Sequence, residues 1–377
     1  MRKKKLWNLT LLAAMASTML FSSASGCLAA EATPASSESS ETVEEENTQP
    51  HLVEALAVTE VLEWGETVTA IRLEYSEEIW CGSISNSNEH PGFLTYQLVN
   101  DRDITNIYVN NSGKKDDIQL YGKYVFLNLG LNSQDYNKYR DQIVFNTSLR
   151  TREGLSPFYL YQNEEIETRD GDIIPVTRRI ETSGEINLGV DDFTSVRYEN
   201  PEDGTWLYYH LYIPEGYEDQ ELPLVVHYPS GDYMYTDYTG TYRGALFTHP
   251  DCTVWASEEA QEENPCFVLT VGGERDSTWA DIDYNNSIMQ QNYVNIINQV
   301  IEEYPIDTSR IYGISLARGS QSMWATALAN PDLFAAMICT SHEFYDTYGE
   351  ELAAQKAQEL FDLMPIWMFA GYLDDSG

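Results

Sequence analysis

Basic residues are scarce in this chain: 22 Lys and Arg face 60 Asp and Glu, a formal net charge of −38. Such a surplus repels phosphate backbones and anionic headgroups, so nucleic-acid binding and a polybasic membrane patch are both poor readings. Partners are expected to be neutral, cationic or small. Cysteine is scarce too, five in 377 residues, and the sequence holds neither a C-x-x-C pair nor H-E-x-x-H. Structural zinc, a dithiol redox pair and a zincin site therefore have no sequence support. No metal and no cofactor are expected, so chemistry must come from oxygen and nitrogen groups. What is present is a chain 42% apolar, long enough for two domains and a tail.

The first thirty residues read as an export signal. Arg2, Lys3, Lys4 and Lys5 precede an apolar run from Leu6 to Phe21, and Ala24, Ser25 and Gly26 lead into Cys27. The run also approaches the length of a membrane span, but it holds Asn8, Thr10, Ser17 and Thr18. The Ala-Ser-Gly-Cys end resembles a bacterial lipobox with Ala where Leu is commoner. That resemblance implies a lipid-bearing Cys27 anchoring an exported protein at the cell surface; a cut near Ala30 with simple secretion is the alternative. Residues 31–52 read as a Glu/Ser-rich linker: positions 31 to 50 carry six Glu, four Ser and no Lys or Arg, too little apolar surface to order. Cys81, Cys252, Cys266 and Cys339 remain; Cys252 with Cys266 as a pair, or buried free thiols, both fit the spacing.

Two regions of different grammar follow. Over 53–163 the pattern has period two, with Thr67, Thr69, Ile71, Leu73 and Tyr75 on one face and Arg72 and Glu74 on the other. Short runs at 93–99, 104–109, 124–129 and 143–145, parted by turns such as Asn110-Asn111-Ser112-Gly113, predict a β-sandwich. A connecting region with hairpin signals spans 164–189. From 190 to 377, continuous apolar runs at 222–228, 267–271, 311–314, 335–339 and 366–369 read as strands buried on both faces. Helical spacing of Met289, Tyr293, Ile296, Ile297, Val300, Ile301 and Tyr304, and a stretch over 352–363, supply covering helices. The expectation is a mostly parallel wound sheet.

In such a sheet ligands gather at the carboxyl ends of the strands. The segment Ile311-Tyr-Gly-Ile-Ser-Leu-Ala-Arg-Gly-Ser-Gln-Ser-Met-Trp324 resembles the strand, nucleophile elbow and helix of α/β-hydrolases. It is most similar to exported esterases with an immunoglobulin-like N-terminal domain and to their polyhydroxybutyrate-depolymerase and prolyl-oligopeptidase-like relatives. "LYIPEGYEDQELPLVVHY", "VWASEEAQEENPCFVLTV", "IDTSRIYGIS" and "NPDLFAAMI" agree with it. The resemblance implies an immunoglobulin-like sandwich followed by an α/β-hydrolase domain, and a serine-esterase reaction on carboxylic esters or peptides.

The elbow needs a nucleophile on a tight turn between small residues, G-x-S-x-G. The ungapped frame places Ser315, Leu316, Ala317, Arg318 and Gly319 there, so Ala317 holds the nucleophile position with a methyl that cannot attack a carbonyl. A second frame, Gly313-Ile-Ser315-Leu-Ala317, makes Ser315 the nucleophile. By resemblance Asp374 is the acid, with Asp375 beside it, and the oxyanion donors are the amides of Arg318 and of Gly231 in the loop Tyr228-Pro229-Ser230-Gly231-Asp232. That loop departs from the His-Gly usual there. The family's base follows the acid, but the six histidines all precede Asp374. His342 is the one placed to face the same end of the sheet, with a core-edge role as the plainer reading. The region also lacks the family's last strand and helix, so it is expected to be C-terminally truncated. Two functions stay open: an esterase-type hydrolase inactive as given, and a pseudo-hydrolase that binds a surface ligand. Asp281, Asp283, Asn285 and Asn286 lack the turn Gly and closing Glu of a calcium loop. Tyr233, Tyr235, Tyr238, Tyr242 and Trp279 read as cleft-lining or rim aromatics.

Overall fold

The computed structural model describes residues 49–87, 89–95, 102–131, 143–147, 151–230, 236–272, 288–341 and 344–371. The first part is all β. Its strands are β1 (Leu52–Leu62), β2 (Gly65–Trp80), β3 (Phe93–Thr95), β4 (Ile104–Asn110), β5 (Tyr121–Leu129), β6 (Ile143–Asn146), β7 (Thr151–Leu155), β8 (Tyr159–Gln162), β9 (Ile166–Glu167), β10 (Ile173–Ile174), β11 (Ile180–Glu181) and β12 (Gly184–Asn187). A five-stranded sheet in the order β12-β1-β2-β5-β4 faces shorter pieces that include β11-β8-β3. Alternation along β2 sends Ile71, Leu73 and Tyr75 into a core with Val125, Leu127, Phe158 and Leu160, while Arg72 and Glu74 stay half-exposed. The stretch read as connecting hairpins is woven into this layer. β9 and β10 form a hairpin, β11 pairs with β8, and β12 runs parallel to β1 with Leu56 opposite Gly184.

The second part is a seven-stranded sheet in the order β13-β14-β17-β15-β18-β19-β20, from β13 (Thr194–Glu199), β14 (Trp206–Tyr212), β15 (Leu222–Tyr228), β17 (Phe267–Gly272), β18 (Ile306–Leu316), β19 (Ala336–Thr340) and β20 (Ile366–Phe369). The first three strands in that order pair antiparallel; β17, β15, β18, β19 and β20 pair parallel. Each apolar run predicted from sequence is one of these strands. Between β15 and β17 lie β16 (Thr236–Asp237) and the short helices α1 (Gly244–Thr248), α2 (Pro250–Thr253) and α3 (Glu258–Glu263). The longer helices are α4 (Ile288–Glu303), α5 (Gly319–Ala329) and α6 (Phe344–Leu363), the last broken at Gly349. Tyr293, Ile296, Ile297 and Val300, at three- and four-residue spacing, bury one stripe of α4 against Leu224, Val226, Leu269 and Val271 of the sheet. Strands with helices wound on them make this an α/β-hydrolase fold preceded by a β-sandwich.

On the opposite face Val225, Val268, Ile314 and Ile338 pack with Leu246 and Phe247 of α1 and Cys252 of α2. That face also opens a cavity of about 470 Å³ lined by Val225, Trp255, Ile314, Ile338, Ile366 and Trp367. All four described cysteines are free, so the Cys252–Cys266 pair is not formed; burial pushes both thiols up.

Candidate active site

Parallel strands in register bring their carboxyl ends to one level. Tyr228 of β15 stands opposite Ser315 of β18, and Leu316 stands opposite Thr340 of β19. Just beyond, Ala317 has φ 48°, a left-handed conformation that a residue with a Cβ adopts only where its surroundings hold it. Its amide donates to the Thr340 carbonyl (2.8 Å), and its own carbonyl accepts from the Ser320 amide (2.9 Å). The chain turns there from β18 directly into α5.

Gly319 makes the turn sterically possible. A Cβ on it would lie 2.0 Å from the Tyr228 carbonyl oxygen and 2.8 Å from that of Pro229. One strand back, Gly313 lets α5 close down, since a Cβ there would meet the Met323 sulfur at 2.6 Å. Trp324 of α5 stacks on Phe344 of α6 with ring centroids 4.0 Å apart, and its Nε1 donates to the Cys339 sulfur at 3.1 Å. The loop side is braced as well: the Tyr293 hydroxyl donates to the His227 carbonyl at 2.6 Å.

The two sequence frames name different residues of this segment, and the backbone places them differently. Ser315 sits inside β18, 5% exposed, and its hydroxyl is shared with Ser320 Oγ (2.9 Å) and directed at the Ile338 carbonyl (3.4 Å). Ser315 is thus a strand residue with an inward, hydrogen-bonded hydroxyl and does not lie on the turn. The turn position is that of Ala317, half-exposed at the sheet's end. Arg318 follows with helical angles, its side chain exposed, and among the described residues its amide donates to no backbone carbonyl. Ser230 is 6% exposed in the adjoining loop, and its hydroxyl has no partner among the described residues. Asp374, Gly231, Cys27 and His342, together with the 281–286 polar loop, Tyr233, Tyr235 and Trp279, lie outside the described residues.

Sequence reading missed Ser341, which leaves β19 as Ala317 leaves β18, with φ 56°. The Thr-Ser-His step after an apolar run was the available signal. It also missed two buried histidine networks under the loop. His227 Nε2 donates to Asp251 (2.9 Å) and its Nδ1 is hydrogen-bonded to the Thr270 hydroxyl (2.8 Å). His210 Nε2 donates to the Tyr242 carbonyl (3.2 Å), which leaves Nδ1 to accept from the Ser195 hydroxyl (2.9 Å). Burial holds His210 down at about 4, so it is neutral at pH 7. Among the described residues no group of three or more His, Cys, Asp and Glu is placed to hold a metal ion, and no helix is long and apolar enough to cross a membrane.

Residues 54–175 match the family of esterase Ig-like N-terminal domains. Over those residues the chain is similar to the Ig-like domain that stands at the N-terminus of esterases. A thermostable esterase is 24% identical and superimposes with a TM-score of 0.69 over 85% of this chain and 92% of that one. An S-formylglutathione hydrolase from Staphylococcus aureus is 14% identical, with a TM-score of 0.34 over 48% of this chain and 79% of its own. No protein among curated sequences matches this chain.

The Ig-like domain grips the loop region of the hydrolase fold. Its β7 pairs in parallel with β16, Thr151 opposite Thr236 and Arg152 opposite Asp237. Arg152, fully buried, binds Glu66 through two nitrogens and Glu185 through a third (2.7 Å). Its guanidinium lies 4.4 Å from the Phe247 ring centre, and that of Arg243, paired with Asp237 and Asp191, lies 5.4 Å from the same ring. Asp237, at 2% exposure, thus fixes the chain a few residues beyond Ser230.

Proposed function

We propose that this chain is an esterase-type serine-hydrolase domain whose elbow binds a carboxylic ester, or the corresponding peptide bond, without acyl transfer. The observation that carries it is Ala317: the strained backbone of a nucleophile elbow is retained while the side chain there is a methyl. The methyl offers no lone pair for attack and no proton for transfer. A ligand carbonyl at the turn has the Arg318 amide available as a donor, in the role that amides after a nucleophile play toward a developing oxyanion. The resemblance assigns Gly231 as the second donor and Asp374 as the acid, and both assignments belong to this proposal.

Two measurements on the full chain test it. 4-Nitrophenyl butyrate is expected to release nitrophenolate no faster than in buffer. Its amide isostere, N-(4-nitrophenyl)butanamide, is expected to bind in a calorimetric titration. Turnover that disappears in Ser315→Ala would overturn the non-catalytic reading. Export with a lipid on Cys27 is a companion proposal, resting on the Ala-Ser-Gly-Cys segment; Cys27→Ala should move the protein from the membrane fraction to the medium, and a variant that stays on the membrane refutes the anchor.

A further inference from the structure

At the carboxyl edge of the hydrolase sheet, two residues other than glycine leave their strands in the left-handed region, Ala317 at φ 48° and Ser341 at φ 56°. A side chain with a Cβ is disfavoured in this region, and such strain persists where the surrounding structure imposes it, most often at functional sites. Both are pinned. The Ser341 amide donates to the Phe369 carbonyl of β20 (2.7 Å), and the carbonyl just before it, on Thr340, accepts from the Ala317 amide. With Leu316 opposite Thr340, the two residues follow the last paired positions of adjacent strands.

The serines around this turn differ in what their hydroxyls do. Those of Ser315 and Ser320 bind each other inside the fold. Ser341 is half-exposed, and its hydroxyl has no hydrogen-bond partner among the described residues. Its conformation therefore brings no internal hydrogen bond to the side chain, and a glycine would fill the same backbone without strain.

We infer that Ser341 is a specificity-determining residue of the elbow site, its hydroxyl donating to the carbonyl oxygen of a bound ester or amide. This rests on the ester-binding reading of Ala317. It places the polar contact one strand away from the position where a hydrolase of this fold carries its nucleophile. It requires no covalent step, and it predicts that the site distinguishes an acyl group with a carbonyl from an alkyl chain of the same length.

The test is titration of the full chain with N-(4-nitrophenyl)butanamide and with N-butyl-4-nitroaniline, which lacks the carbonyl. Ser341→Ala should weaken the amide about fivefold to tenfold, the worth of one neutral hydrogen bond, and leave the aniline unchanged. Ser341→Gly should show the same loss while melting at or above the wild-type temperature, which separates a missing hydroxyl from a damaged fold. If the wild type binds the amide and both variants bind it equally well, the role of Ser341 is overturned and the ester reading stands. If the wild type binds neither probe, the ester reading fails and the Ser341 assignment fails with it.

Discussion

His210 shows how a single side chain couples this fold to pH. In the folded chain it is sealed under Tyr242 and Ser195 and takes a proton only near pH 4; released, it takes one near 6.5. Between those values the unfolded state binds the extra proton, so stability falls as the pH is lowered through that window. The full difference is about 3 kcal/mol at about 1.4 kcal/mol per pH unit. Urea unfolding of the wild type from pH 7 to pH 4 should show this loss, and His210→Gln should flatten that part of the curve. An unchanged slope in the variant would mean that the imidazole is not held neutral. None of this was legible in the sequence, where His210 is one polar residue in the strand pattern of Leu207, Tyr209 and Leu211. Its face is covered by a loop 32 residues later in the chain, and periodicity does not report what covers a strand.

At the scale of elements, the β18–turn–α5 unit was largely readable and its frame was not. A buried run followed by small residues and a helical stretch announces a strand, a tight turn and a helix. Whether Ser315 or Ala317 occupies the turn depends on one dihedral angle, and the two frames differ by two residues, so both leave the apolar pattern intact. Gly319 is required just after Ala317, because only a residue without a Cβ passes the Tyr228 carbonyl. Gly319→Ala is accordingly expected to cost roughly 3 kcal/mol or more, seen as a lower urea midpoint. A variant as stable as the wild type would show that β15 and α5 can separate without penalty. The long parallel strands were legible for the opposite reason: being covered on both faces, they have to be apolar throughout. β12, whose four residues are Gly, Glu, Ile and Asn, carries no such mark and was read as part of a connector.

For the whole molecule, the junction between the Ig-like domain and the hydrolase fold is polar at its centre. Arg152 of β7 is as buried as any core leucine, on the inward side of the strand that it shares with Gly154, although its charge alone would mark it for solvent. Burial pushes the Glu66 carboxyl up, and the Arg152 guanidinium opposes that shift. A pair of this kind is costly to break from one side. Arg152→Met leaves Glu66 and Glu185 without their shared cation and should destabilise the protein by roughly 3–5 kcal/mol; adding Glu66→Leu should recover part of the loss. Unfolding followed at Trp64 in the first domain and at Trp324 in the second should shift together. A shift confined to one of them would show that the junction does not couple the two parts.

The pairing of β12 with β1 also sets an order in time. Thr59 and Asn187, hydrogen-bonded at 3.0 Å, stand 128 residues apart, so β1, once it has left the ribosome, waits for the last described strand of its own sheet. The β1–β2 hairpin can form early from local contacts, but its outer edge stays open until Asn187 has emerged, when β13 is about to follow. Contacts of such separation form slowly, and an open strand edge during synthesis invites pairing with other chains. Newly made protein should therefore be most dependent on chaperones while the second domain is only beginning to appear.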